Sequence, residues 1–289
     1  MKYRLRHATE YTYATPVDLA SHMLHLSPRT LPWQSVAGTR ITVTPQPSRT
    51  VRAQDHFDNE TTWLFLDQPH ERFEVTLEAE VVVAAPNSPD EAATKSWEEV
   101  ARLAASGGVS ADASEFVFPS PLVAAEPAAR AYAEPCFTPG RPVFSALREL
   151  TVRIRNDFVF RPGVTDISTP VSTVLARRQG VCQDFTHLMI AALRGFGLPA
   201  RYVSGYLRTR PPPGQPRRRG ADQSHAWVGC WLGPEHGWIG LDPTNDLVVA
   251  DEHVVLAWGR DYGDISPIRG VLLGGGRHEV KVSVDLEPL

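Results

Sequence analysis

Over its first 84 residues the chain alternates between apolar and polar side chains. The stretches "YRLRHATEYTY", "TRITVTPQ", "TTWLFLD" and "RFEVTLEAEVVV" alternate or are rich in β-branched and aromatic residues. Turn formers separate them, as in "LSPRTLPWQ" and "HFDNE". A period of two predicts strands. Several short strands with no helix among them suggest a β-sandwich domain over residues 1–85. Residues 84–96, "AAPNSPDEAATKS", have the composition of a linker.

From residue 97 the period lengthens to that of a helix. "SWEEVARLAA" opens on Ser96 with Glu99 three residues on, the capping-box arrangement. In "PVFSALRELTVRIRNDF", Val143, Leu147, Leu150 and Ile154 recur at helical spacing. In "GVCQDFTHLMIAALRGFGLPA", the residues Phe185, Leu188, Met189, Ala192, Leu193 and Phe196 form one apolar face. Gly195, Gly197 and Pro199 stop that helix, and Gly180 stands just before its start. Strand-like segments follow: "ARYVSGYLR", "HAWVGCWLG", "GWIGLDP" and, near the end, "EVKVSVDL". Between the first two, residues 208–223 ("RTRPPPGQPRRRGADQ") predict a mobile loop of a length that is often functional.

Cys182 therefore falls at a helix N-terminus. There a thiol faces unpaired backbone N–H groups and the positive end of the helix dipole. Such a position favours the thiolate, and with a cationic partner the pKa of a cysteine falls to roughly 3.5–7.5. The helix alone leaves two readings open, an inert buried thiol and a nucleophile. Two further stretches bear on the choice. "SHAWVGCWL" puts His225 at the start of an apolar strand, and "GWIGLDPTND" puts Asp242 at the end of the next. Their separation suits two neighbouring antiparallel strands joined by "GPEHG", with both side chains at one end of a sheet. Cys–His–Asp chemistry needs that arrangement. His225 takes the thiol proton and returns it to the leaving amine, while Asp242 holds the imidazole tautomer and stabilises its cation.

Taken together, "GVCQDFTHLMIAALRGFGLPARYVSGYL", "SHAWVGCWL" and "HGWIGLDPTND" resemble the transglutaminase-like superfamily in its bacterial form. The resemblance covers most of the chain. The family core corresponds to about residues 145–246, and the first 85 residues resemble the β-rich region that precedes it in bacterial members. "DEHVVLAWGRDYGDISPIRGVLLGGGRHEVKVSVDL" resembles their C-terminal extension. The resemblance implies an α+β fold with a papain-like core in a catalytic domain over 86–289. It implies that Cys182, His225 and Asp242 form the catalytic triad, and that acyl groups pass through a thioester from an amide donor to water or an amine. One departure is "HAWVGCWL", where Gly229 and Cys230 stand in place of the acidic residue more usual in the family. The expected consequence is altered strand packing or an altered substrate wall, with the triad intact.

Three more residues are candidates for the substrate site. Trp227 lies two residues beyond His225, on the same side of the strand. It shields the imidazole, lines the acyl-donor channel or packs in the core. Tyr206 lines the cleft or packs in the core. An oxyanion hole needs donors aimed at the developing charge. The Cys182 backbone N–H is one candidate, and the Gln183 side chain is a candidate second.

Composition narrows the remaining classes. The 289 residues, 42% hydrophobic and 21% charged, suit about two ordinary globular domains. A net charge of −4 gives no basic field, so neither nucleic acid nor anionic lipid is an expected partner, and Arg217–Arg219 read as a solvated loop. No run of 18 apolar residues predicts a membrane span, and "MKYRLRHATEYTYATP" lacks the apolar region of a signal peptide. Cys136, Cys182 and Cys230 are odd in number and far apart, which suggests free thiols and a cytoplasmic location. No metal or cofactor is expected: no C-x2-C or H-x3-H spacing completes a zinc set around Cys182 and His225. "DHFDN" reads as a turn, and "GVLLGGGRH" lacks the Lys and helix of a phosphate loop. The functional expectation is a cysteine peptidase or amidase acting on peptide or protein amides, with hydrolysis ahead of transamidation. A transamidating enzyme and a non-catalytic binding protein that keeps the fold are the alternatives. The oligomeric state is left open.

Overall fold

The computed structural model describes residues 1–106, 111–209 and 222–289. Its first strand, β1 (Lys2–Leu24), serves two groups of partners. Tyr3, Leu5, His7 and Thr9 point inward along it, while Lys2, Arg4 and Arg6 point out, the alternation that the sequence shows. Strands β2 (Gln34–Thr44), β3 (Arg49–Gln54), β4 (Glu60–Leu66) and β5 (His70–Val83) complete the order β2-β5-β1-β4-β3. β5 pairs with the first half of β1 and β4 with its last five residues, and the register shifts between Thr12 and Val17. The β-rich region expected as a sandwich is thus one hydrogen-bonded sheet whose two groups of strands share β1.

The next part is helical. It comprises α1 (Trp97–Ala105), α2 (Ala111–Ser114), α3 (Pro127–Ala133) and α4 (Val143–Asp157). Ser96 caps α1 by accepting the Glu99 N–H, and α4 buries Val143, Leu147, Leu150 and Ile154. Strand β6 (Val159–Phe160) pairs in parallel with β7 (Gln179–Gly180), with α5 (Val171–Arg177) between them. Helix α6 (Cys182–Gly195) is buried without a break from Asp184 to Leu193. At about 1.5–3 kcal/mol for each large apolar side chain, its Phe185, Leu188, Met189, Ile190 and Leu193 hold the helix rigidly in place. The central helix packs against β8 (Ala200–Leu207) and β9 (Gln223–Trp231). These belong to a second, antiparallel sheet with β10 (Trp238–Asp242), β11 (Leu247–Val248) and β12 (His253–Gly259), in the order β11-β10-β9-β8-β12. The 208–223 loop lies outside the described residues from 210 to 221.

The chain then returns to its beginning. Strands β13 (Ile268–Gly274) and β14 (His278–Pro288) pair with β1, so the C-terminal extension completes the N-terminal sheet. Two buried carboxamides seat that sheet on β12, an edge strand of the second sheet. Gln34 donates to Val255 O and accepts from Val255 N, both at 2.8 Å. Asn59 does the same at Trp258, at 2.8 and 3.0 Å. Each amide substitutes for a missing strand neighbour and covers backbone that would otherwise be an open edge. Asn59 sits in the "DHFDN" turn, where Asp55 Oδ1 accepts the N–H groups of Phe57 and Asn59.

Candidate active site

Cys182 is the first residue of α6, and Val181 before it is extended. Val181 offers no side-chain cap. Asp184 supplies the order instead: its Oδ2 accepts the Val181 N–H and the Thr165 hydroxyl, both at 2.7 Å. Burial raises the Asp184 carboxyl above its ordinary range despite those two bonds. The first-turn N–H groups have no partner within the helix and face the thiol's side of the fold. Cys182 is half-buried. Cys136 and Cys230 are buried, and burial pushes both of those thiols up.

His225 lies on β9 and Asp242 ends β10. The pairing of Gly229 with Gly240 sets their side chains on one face of the sheet. His225 Nε2 and Asp242 Oδ2 are 2.7 Å apart. That leaves Nδ1 for Cys182, which lines the same cavity as the ring. Burial acts to lower the imidazole pKa, but the Asp242 hydrogen bond and the neighbouring Cys182 thiol outweigh it and raise it to about 10. Asp242 is 0% exposed. Burial acts to raise its carboxyl, yet its hydrogen bonds, His225's first, hold it well below the usual carboxylate range. Oδ1 accepts the backbone N–H groups of Thr244 (2.9 Å) and Asn245 (3.2 Å), and Oδ2 accepts the Asn245 side-chain amide at 2.7 Å. His253 Nε2 stands 3.6 Å from Oδ2, beyond hydrogen-bond reach but close enough to favour the charged carboxylate. The three sequence-predicted residues Cys182, His225 and Asp242 are thus brought together: His225 is bonded to Asp242 and lines one cavity with Cys182.

The thiol and the imidazole open on a cavity of about 370 Å³. Gln183 lines it, with its side-chain amide turned toward Ile167 O at 3.4 Å. Trp227 does not line it. Its ring packs, on the same face of the strand as His225, with Val203, Val249 and Val255, tilted toward His225 at 6.2 Å and edge-on to His253 at 5.2 Å. Gly205 makes this possible, since any side chain there would strike the Trp227 ring and the Val254 carbonyl. Tyr206 is also buried, and its hydroxyl shares a 2.6 Å hydrogen bond with His7 Nδ1. It therefore ties β8 to β1. A residue that sequence reasoning passed over lies nearer the chemistry. Tyr202 lines the cavity beside Cys182 and is 3% exposed, and among the described residues its hydroxyl has no hydrogen-bond partner. Burial raises its pKa well above the ordinary value, so it stays a donor. The available signal was the period of two in "ARYVSGY", which sets Tyr202, Ser204 and Tyr206 on one face.

The departure at Gly229 has a packing consequence. A Cβ at Gly229 would meet the Arg201 side chain at 2.9 Å. Without one, the Arg201 guanidinium lies 4.3 Å from the Trp238 ring centre and 3.8 Å from that of Trp258. Among the described residues no group of three or more His, Cys, Asp or Glu side chains is placed to hold a metal ion.

A thiol at a buried helix start, facing a histidine and an aspartate on sequential strands, defines a class. Residues 3–82 match the bacterial transglutaminase-like N-terminal region, and residues 130–243 match the transglutaminase-like superfamily core. The chain belongs to the transglutaminase-like superfamily. An uncharacterised protein of Mycobacterium tuberculosis is 39% identical over 99% of this chain and 93% of its own length. A protein-glutamine gamma-glutamyltransferase of Pseudomonas aeruginosa is 31% identical over 122 residues, 39% of this chain and 18% of that one. Among solved structures, a cysteine protease candidate from Cytophaga hutchinsonii superposes with a TM-score of 0.76 at 21% identity, covering 99% of this chain and 90% of that one. That likeness extends the shared fold across both sheets.

Proposed function

We propose that this protein is a cysteine-dependent acyl-transfer enzyme that opens amide bonds of peptides or proteins through a thioester on Cys182. The observation that carries the reading is the His225–Asp242 hydrogen bond in a cavity that His225 lines together with the Cys182 thiol. His225 Nδ1 takes the thiol proton, and Sγ attacks the amide carbon. The oxyanion forms against the Cys182 backbone N–H and the Tyr202 hydroxyl, the two donors beside the thiol. As the C–N bond breaks, His225 returns the proton to the departing amine and Asp242 stabilises the imidazolium in between. Water or a second amine then attacks the thioester, with His225 again taking the proton. Hydrolysis is the favoured outcome, because Cys182 is only half-buried and lines an open cavity that water can enter. A reducing compartment, the cytoplasm in this reading, keeps the thiol available.

The test is the pH-dependent rate at which iodoacetamide labels each cysteine, read by peptide mass spectrometry, in the wild type and in His225→Ala. The expected result is fast labelling of Cys182 well below pH 8 that slows in the variant. Labelling at an ordinary thiol's rate, unchanged by the substitution, would remove the reading. Peptide amides with and without an added primary amine then separate hydrolysis from transamidation.

A further inference from the structure

The wall opposite the thiol is built by the sheet that the two chain ends share. Along β14 the inward-facing residues run Leu286, Val284, Val282, Val280. The first two are 0% and 1% exposed, packed where the sheet meets the core. The next two are 56% and 46% exposed, and both line the cavity that holds Cys182 and His225. Their register partners on β1 are Thr9 and Tyr11, which line it too. Ile268 of β13 extends the same apolar surface. An apolar concave surface left uncovered beside a nucleophile is the ordinary form of a specificity pocket.

The polar part of the lining is as informative. Among the described residues none that lines this cavity is Asp, Glu, Lys or Arg. His7, at its edge, is tied to Tyr206 and Thr9 by both ring nitrogens, and burial lowers its pKa to about 4, so it is neutral at pH 7. A charged acyl-donor side chain would lose water here and, among the described lining residues, meet no charge but the His225 imidazolium, which is already bonded to Asp242, a cost that an aliphatic one avoids. We infer that the acyl donor presents an uncharged, apolar side chain to a wall formed by Tyr11, Ile268, Val280 and Val282, so that the N-terminal sheet and the last strand select the substrate.

This rests on the acyl-transfer reading, and the experiment separates the two. N-acetyl-aminoacyl chloromethyl ketones carrying Leu, Phe, Gln, Glu or Lys side chains alkylate Cys182 without depending on the later fate of a thioester. Each rate is divided by the same protein's iodoacetamide rate. The expected result is Leu and Phe ahead of Glu and Lys by about 100-fold, on the scale of pocket discrimination by desolvation. In Val282→Lys the Glu reagent gains on Leu by at least about tenfold, and in Val282→Asp the Lys reagent does so, by new charge pairing at the wall. Normalised rates that ignore side-chain charge, or a ranking untouched by both substitutions, would overturn the inference while leaving an activated thiol intact. A slow iodoacetamide rate in the wild type would instead overturn the acyl-transfer reading itself.

Discussion

Two groups of buried histidines in this molecule have the same residue type and opposite chemistry. His225, in the second sheet, meets the Asp242 carboxylate at 2.7 Å, and its pKa rises to about 10. His22, in the N-terminal sheet, stacks on Phe73 at 4.1 Å between ring centres, and among the described residues neither of its ring nitrogens has a hydrogen-bond partner. Burial, with His70 nearby, lowers its pKa to about 4. Burial alone thus makes a neutral ring that adds to packing. A buried carboxylate, itself satisfied by backbone N–H groups, makes a ring that holds a proton and hands it on.

The sharpest way to break this contrast is to remove the carboxylate. Asp242→Asn should lower kcat on peptide amides by about 10⁴, because the ring loses both its tautomer and its cation's partner. The same variant should move the alkaline limb of kcat/KM downward. In the wild type His225 keeps its proton until well above pH 6.5, so the limb lies toward its raised pKa of about 10. In the variant it should fall back toward 6.5, which a pH–rate series reads directly.

Tyr202→Phe comes next. It removes a hydroxyl that has no protein partner among the described residues, so folding should survive. Loss of one oxyanion donor should lower kcat about 10²–10³-fold. Iodoacetamide labelling of Cys182, which forms no oxyanion, should keep its wild-type rate. If labelling slows in parallel, Tyr202 acts on the resting thiol instead.

The smallest expected effects concern stability. His22 has a depressed pKa, so its contribution is present above pH 6.5 and is lost as pH falls through about 4. His225 has the opposite sign: its contribution is complete below pH 6.5 and is lost as pH rises through about 10. His22→Leu should therefore blunt the loss of stability between pH 7 and 4.5 by on the order of 1–3 kcal/mol. It should leave the alkaline side unchanged. Urea midpoints at pH 4.5, 7 and 9 check both statements.

Much of the site was legible because its chemistry is written locally. The apolar stripe from Phe185 to Phe196, with Gly180 before it and Pro199 after, sets the helix start at Cys182 within the one residue that matters. Alternation over "HAWVGCWL" and "GWIGLDP" sets two adjacent antiparallel strands, and their pairing then puts His225 and Asp242 on one face. Period-based reasoning reaches that far because helix and strand geometry repeat over a few residues.

The tertiary structure decided what depends on contacts between distant segments. Tyr206 and Trp227 share strands with Tyr202 and His225, yet the first is bound to His7, 199 positions away, and the second is packed among Val203, Val249 and Val255 over Gly205. Tyr202 gained its place beside the thiol from how α6 lies on β8. The union of β13 and β14 with β1 joins the chain's two ends in one sheet, and with it the wall opposite Cys182. A strand's own sequence specifies which residues share a face. Which neighbour that face meets follows from hydrophobic packing and register across the whole fold, and no local pattern encodes it.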